Sequence, residues 1–108
     1  MSQPQGSPRV SIVMGSDRDL DVMKDAADAL SEFGVPFEIQ VLSAHRSPHL
    51  VSRFARALPR RGISVVIAGA GGAAHLAGVV AAQTHLPVIG VPINSSPLGG
   101  LDSLLSTV

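Results

Sequence analysis

Four short apolar runs rich in β-branched residues (9–14, 37–42, 63–68 and 87–91) alternate along this chain with stretches whose apolar residues recur at helical spacing. A strand feeding a helix feeding the next strand closes as a right-handed crossover, so the alternation predicts a parallel sheet with helices on its faces. Residues 9–14 read as a buried strand, with Val10, Ile12 and Val13 β-branched and Gly15 ending the run. Residues 19–33 read as a helix: Leu20, Met23, Ala27 and Leu30 share one face, and Gly34 suits the stop. Ser16 and Asp19 have the S-x-x-D spacing that opens such a helix. Residues 37–42 supply a second strand. Pro48 then stands at the first turn of a helix over 49–61, with Leu50, Val51, Phe54, Ala55 and Leu58 facing inward. Residues 63–68 are apolar throughout, as befits a strand covered on both faces. An Ala-rich helix at 73–83, a strand at 87–91 and a helical stretch at 101–106 follow. The expected fold is α/β: a three-layer, doubly wound parallel sheet.

At 108 residues the chain makes one domain, residues 9–108, behind a polar tail at residues 1–8 that reads as disordered. It is 45% hydrophobic and 15% charged, which points to surface buried in a homo-oligomer, although an efficiently packed sheet would also account for it. Eight basic and eight acidic side chains cancel, so no global field draws nucleic acid or an anionic membrane. No cysteine is present, which removes disulfides, thiolate metal ligands and a thiol nucleophile. The tail has neither the charged start nor the apolar core of a secretory signal, and no apolar run approaches the ~20 residues of a spanning helix. A cytoplasmic protein is expected. The chain ends just after a helical turn, without the strand and helix that usually close such a fold. It is therefore either a minimal four-strand unit or a shortened one.

In an open α/β sheet, ligands bind outside the carboxyl ends of the strands, and three loops fall there. Gly15-Ser16-Asp17-Arg18-Asp19 leads into the first helix, whose unpaired N–H groups and positive dipole end suit phosphate. Ser16 can donate, Arg18 can pair with a phosphate bidentately, and Asp19 suits two ribose hydroxyls. Equally, Ser16 and Asp19 merely cap the helix. Ser43-Ala44-His45-Arg46-Ser47-Pro48 follows the second strand. It sets an imidazole, able to accept and donate a proton at neutral pH, beside a guanidinium and between two hydroxyls. A lone loop histidine is more often simply solvated. Arg46 between Ser43 and Ser47 shifts this one toward an anion site holding an acid/base group.

Gly69-Ala70-Gly71-Gly72 follows the third strand and suits either close backbone approach to a flat ligand or a tight turn, with His75 as a further donor. It is not a dinucleotide fingerprint, because it follows the wrong strand and lacks the third glycine, and no Gly-Lys-Ser/Thr follows for a Walker loop. His45, His49, His75 and His85 show no ligand-pair spacing, so no metal site is expected.

Val13-Met14-Gly15-Ser16-x-x-Asp19, Ser43-Ala44-His45-Arg46-Ser47-Pro48 and Ala68-Gly69-Ala70-Gly71-Gly72-Ala73-Ala74-His75-Leu76, in this order, resemble the bacterial 5-(carboxyamino)imidazole ribonucleotide mutase family of purine (IMP) biosynthesis, the catalytic subunit of phosphoribosylaminoimidazole carboxylase. Gly90-Val91-Pro92 and residues 100–106 look like further family segments, so the resemblance runs from Val10 to Val108. It implies a flavodoxin-like fold, a small-molecule ribonucleotide substrate and a homo-octamer. The implied reaction is an isomerisation that moves a carboxylate without metal or cofactor, with His45 as general acid/base. By the same match, Ser16 and Asp19 hold the phosphoribosyl part and Arg46 the phosphate, while Ser43, Gly71, Gly72 and His75 line the carboxylate and ring.

Two departures stand out: the family usually has serine where this chain has Arg18, and proline where it has Ala77. Arg18 either strengthens phosphate binding or crowds its loop. Family members also continue past the position of Val108 with a further strand and helices, which are expected to be lacking here. The alternative function is therefore a ribonucleotide-binding or structural subunit of the same fold without turnover. A phospho-receiver domain is excluded by Gly15-Ser16 and Gly69 at strand ends that would need acidic residues. A nicotinamide dehydrogenase is excluded by the misplaced glycines.

Overall fold

The computed structural model describes residues 4–108; of the expected tail, residues 1–3 lie outside them. Strands β1 (Val10–Met14), β2 (Phe37–Val41), β3 (Val65–Gly71) and β4 (Val88–Ile93) form one parallel sheet in the order β2-β1-β3-β4. Helices α1 (Leu20–Glu32), α2 (Pro48–Ala57), α3 (Leu76–Ala81) and α4 (Leu101–Thr107) connect and follow the strands. The register sets Val10 beside both Phe37 and Val65, and Gly71 beside Ile93.

β1 is central and all five of its residues are buried, because its alternating side chains feed two cores. Val10, Ile12 and Met14 pack with Met23 and Ala27 of α1. Val13 packs with Val51, Phe54 and Ala55 of α2 and Val80 of α3. Each fully buried side chain such as Ile12, Met14, Val51 or Leu58 contributes about 1.5–3 kcal/mol. Ser11, fully buried in that strand, requires a polar partner. It donates to Glu38 Oε2 on β2 at 2.7 Å, and Glu38 is held in turn by Gln40 and Arg61. With α1 on one face and α2 and α3 on the other, the sheet is the middle of three layers, the doubly wound arrangement expected.

Several expectations need correction, among them the second helix, which ends at Ala57 and not at 61. The third strand does not stop at residue 68; it starts at Val65 and runs through Gly71, so the glycine-rich segment is largely strand. The reason is packing from elsewhere in the chain. A Cβ at Gly69 would collide with Met23 Sδ and come within 3.1 Å of Ile93 Cδ1, and one at Gly71 would collide with Ser95 Oγ. Leu20 and Leu50, expected inward, are 45% and 48% exposed, because Asp19 and Val51 beside them take the buried positions. The third helix is shorter than expected, beginning at Leu76 with His75 as its N-cap. Pro92 is accommodated within β4, which has a strand partner on one side only. Among the described residues, no helix is long and apolar enough to cross a membrane.

Candidate active site

From β1 the chain passes to β2 at one side and then crosses back to β3 at the other, so the loops after β1 and β3 diverge and leave a crevice between them. A cleft of about 380 Å³ fills that crevice. The loop after β1 contributes Gly15, Ser16, Arg18 and Asp19, and the loop after β2 contributes Ser43, Ala44 and His45. Ala70, Gly71, Ala73 and His75 come from the end of β3 and the turn after it. The structure therefore brings together six of the expected binding and catalytic residues, Ser16, Asp19, Ser43, His45, Gly71 and His75, and also Arg18.

Ser16 caps the short 3-10 turn Asp17–Asp19, its Oγ accepting the N–H of Arg18 at 3.3 Å. The backbone N–H of Asp19 donates to the Ser16 carbonyl at 3.1 Å and closes the same turn. Asp19 is 7% exposed. Burial pushes its carboxyl above the usual range, against the opposing pull of the Ser16 N–H and the Arg18 guanidinium. The residues that shape this turn also line the cleft, so the capping and binding readings of the loop do not exclude each other.

Ser43 Oγ accepts the N–H of Arg46 at 3.2 Å and its carbonyl accepts that of Ser47 at 2.9 Å, which folds the segment into a tight turn. That turn presents His45 across the crevice, where Nε2 lies 3.2 Å from the carbonyl oxygen of Ala73. The ring of His45 also meets the ring of His75. Arg46, on the same turn, is exposed and does not line the cleft. Gly72 does not line it either; its positive φ of 62° makes the turn that follows β3. Gly71 lines the cleft, and its missing Cβ makes room for Ser95.

Sequence reasoning missed Asn94 and Ser95, which form the remaining wall at the end of β4. The strand-end rule that selected the other loops would have found them had it been applied to the fourth run. It also missed that the Ala73 carbonyl accepts the backbone N–H of His75 at 3.0 Å as well as facing His45. Among the described residues, no three His, Asp or Glu side chains gather as a metal site.

The model of the AIR carboxylase family matches residues 9–108. The N5-carboxyaminoimidazole ribonucleotide mutase of Thermotoga maritima is 61% identical over 101 residues, which is 94% of this chain and 59% of that protein. That of Pyrococcus horikoshii is 59% identical over 108 residues, covering all of this chain and 61% of its own length. The phosphoribosylaminoimidazole carboxylase of Candida albicans is 60% identical over 102 residues, 18% of that longer protein. The chain thus spans less than two thirds of the curated relatives it matches. A cleft at the switch point, a family model that spans residues 9–108, and relatives of this identity together make the chain a member of the AIR carboxylase family.

Proposed function

We propose that this chain carries the active site of an N5-carboxyaminoimidazole ribonucleotide mutase, moving a carboxylate from the exocyclic nitrogen of the aminoimidazole to ring carbon four. The observation that carries the proposal is the meeting of His45 and His75, from separate loops, in one cleft with Ser16, Asp19 and Ser43. His45 in its protonated form delivers a proton to the exocyclic nitrogen as the carbamate C–N bond breaks, which releases carbon dioxide and the aminoimidazole ribonucleotide. Carbon four, made nucleophilic by the freed amine, then bonds to the carbon dioxide. The proton displaced from carbon four returns to His45, so one imidazole closes the cycle. No oxidant, metal or cofactor enters that balance.

Ala44, Ala70, Ala73 and Leu76 give the cleft an apolar wall, which excludes water and keeps carbon dioxide beside its partner, so that recapture is effectively intramolecular. Ser16 and Asp19 hold the phosphoribosyl part, Arg46 and Arg18 the phosphate, and Ser43, Gly71 and His75 the carboxylate and ring, with Gly72 shaping their turn. The proposal extends to a cytoplasmic homo-oligomer, an octamer by resemblance. Leu98, Leu101 and Leu105, which are 66%, 56% and 64% exposed, are apolar surface that assembly would cover.

The test is turnover of the carbamate ribonucleotide by the purified chain, with His45→Asn as control. Conversion that vanishes in the variant supports the mutase. A chain that binds the ribonucleotide but converts none of it refutes catalysis by this form.

A further inference from the structure

Ala73 and Ala74 share one peptide unit, and both of its polar ends are gripped by residues remote in sequence. At one end, the Ala73 carbonyl oxygen lies 3.2 Å from His45 Nε2. At the other, the N–H of Ala74 donates to Ser106 Oγ at 2.8 Å. Ser106 lies on α4, and its own proton has the Asp102 carbonyl at 2.6 Å as its nearest acceptor, so toward Ala74 the hydroxyl acts as acceptor. α4 is anchored in turn by Ser103, whose buried Oγ donates to the Ile93 carbonyl at 2.6 Å. Ala74 is itself buried, so Ser106 satisfies an N–H that water does not reach.

A trans peptide unit is planar, with its C=O and N–H directed to opposite sides, so holding one end aims the other. An acceptor bonded to the N–H of the unit also polarises it and strengthens the carbonyl at its other end as an acceptor. A carbonyl oxygen only accepts, so the contact assigns a proton to Nε2 of His45 whether the ring is neutral or charged.

We infer that Ser106 is a positioning residue for His45. Through the Ala73–Ala74 peptide unit it aims the carbonyl that keeps Nε2 protonated, which leaves Nδ1 as the atom that gives up and regains the proton. The catalytic consequence rests on the acid/base role proposed for His45; the tautomer does not.

The experiment is two-bond 1H–15N correlation on the 15N-histidine-labelled chain, at a pH where His45 is neutral, paired with steady-state kinetics. The wild type shows Nε2 protonated and Nδ1 bare. Ser106→Ala gives a mixture of His45 tautomers and lowers kcat roughly tenfold with KM within about twofold, while Ser106→Thr, which keeps the hydroxyl, restores both. Ser106→Cys, close in shape but a weak acceptor, serves in place of alanine if that variant does not fold. A wild-type His45 carrying its neutral-form proton on Nδ1 overturns the inference. So does a hydroxyl-free variant with unchanged tautomer and kcat. The tautomer is read without substrate, so a wild type lacking turnover counts against the proposed function and not against the positioning.

Discussion

The rings of His45 and His75, borne on the loops after β2 and β3, meet edge to face with centroids 5.2 Å apart and planes inclined at 65°. Neither loop places this pair alone. The Ser43 turn projects one ring, the turn after Gly71 projects the other, and the Ala73 carbonyl bonds to both residues.

His45→Asn is expected to abolish turnover and leave ribonucleotide affinity within a few-fold. The asparagine amide retains a donor for the Ala73 carbonyl but has no group that titrates near neutral pH. Calorimetric titration beside the turnover assay checks this; binding lost in step with rate would remove the acid/base role.

Arg46→Ala is expected to weaken ribonucleotide binding by roughly 2–3 kcal/mol through loss of a charge-assisted phosphate contact. Arg18 lines the cleft, and Arg18→Ser is expected to cost about tenfold in affinity. Tighter binding by Arg18→Ser would mean that the guanidinium crowds the loop instead.

Gly71→Ala and Gly69→Ala separate two kinds of close approach. At Gly71 the added methyl meets Ser95 Oγ and the backbone oxygen of Ile93 at 3.2 Å, so the loop after β4 must move. At Gly69 it meets chiefly the tip of Met23, a flexible side chain that can yield. Urea unfolding should show a loss of about 1–3 kcal/mol at Gly71 and a smaller one at Gly69. Equal losses would contradict the distinction.

Glu38 and Asp19 give stability opposite dependences on pH. Burial alone would raise the Glu38 carboxyl, but bonds from Ser11, Arg61 and Gln40 outweigh it and hold the group below its ordinary 4.5. The folded state therefore binds fewer protons there, and the stabilisation is complete above that value and lost as pH falls through the lowered one. Glu38→Gln should be less stable at pH 7 by about 1–3 kcal/mol, with the gap closing on acidification.

Asp19 is raised by burial above its ordinary 3.8, so its ionised form opposes folding at neutral pH. Asp19→Asn should be more stable at pH 7, lose that advantage as pH falls toward 3.8, and bind ribonucleotide less tightly. Thermal unfolding across pH decides both cases; a gap that does not close in acid would contradict either assignment.

Sequence alone determined the strands and helices and the edge of the sheet that carries the loops, because β-branched runs and helical periodicity are local, and crossover handedness leaves few topologies. It also selected His45, Ser16, Asp19, Ser43 and His75, since acid/base and hydroxyl groups beside strand ends are visible as residue types. Tertiary structure decided what depends on contacts between distant segments. It extended β3 through Gly71, because Met23 and Ser95 occupy the space of the missing side chains. It turned Leu20 and Leu50 outward, since helical spacing alone does not say which edge of an apolar face meets the sheet. It also placed Asn94 and Ser95 in the cleft wall and Ser106 behind the Ala73–Ala74 peptide unit. Ser106 lies 32 residues from Ala74 in sequence, and only the packing of α4 against the turn after β3 makes its hydroxyl the partner of that amide.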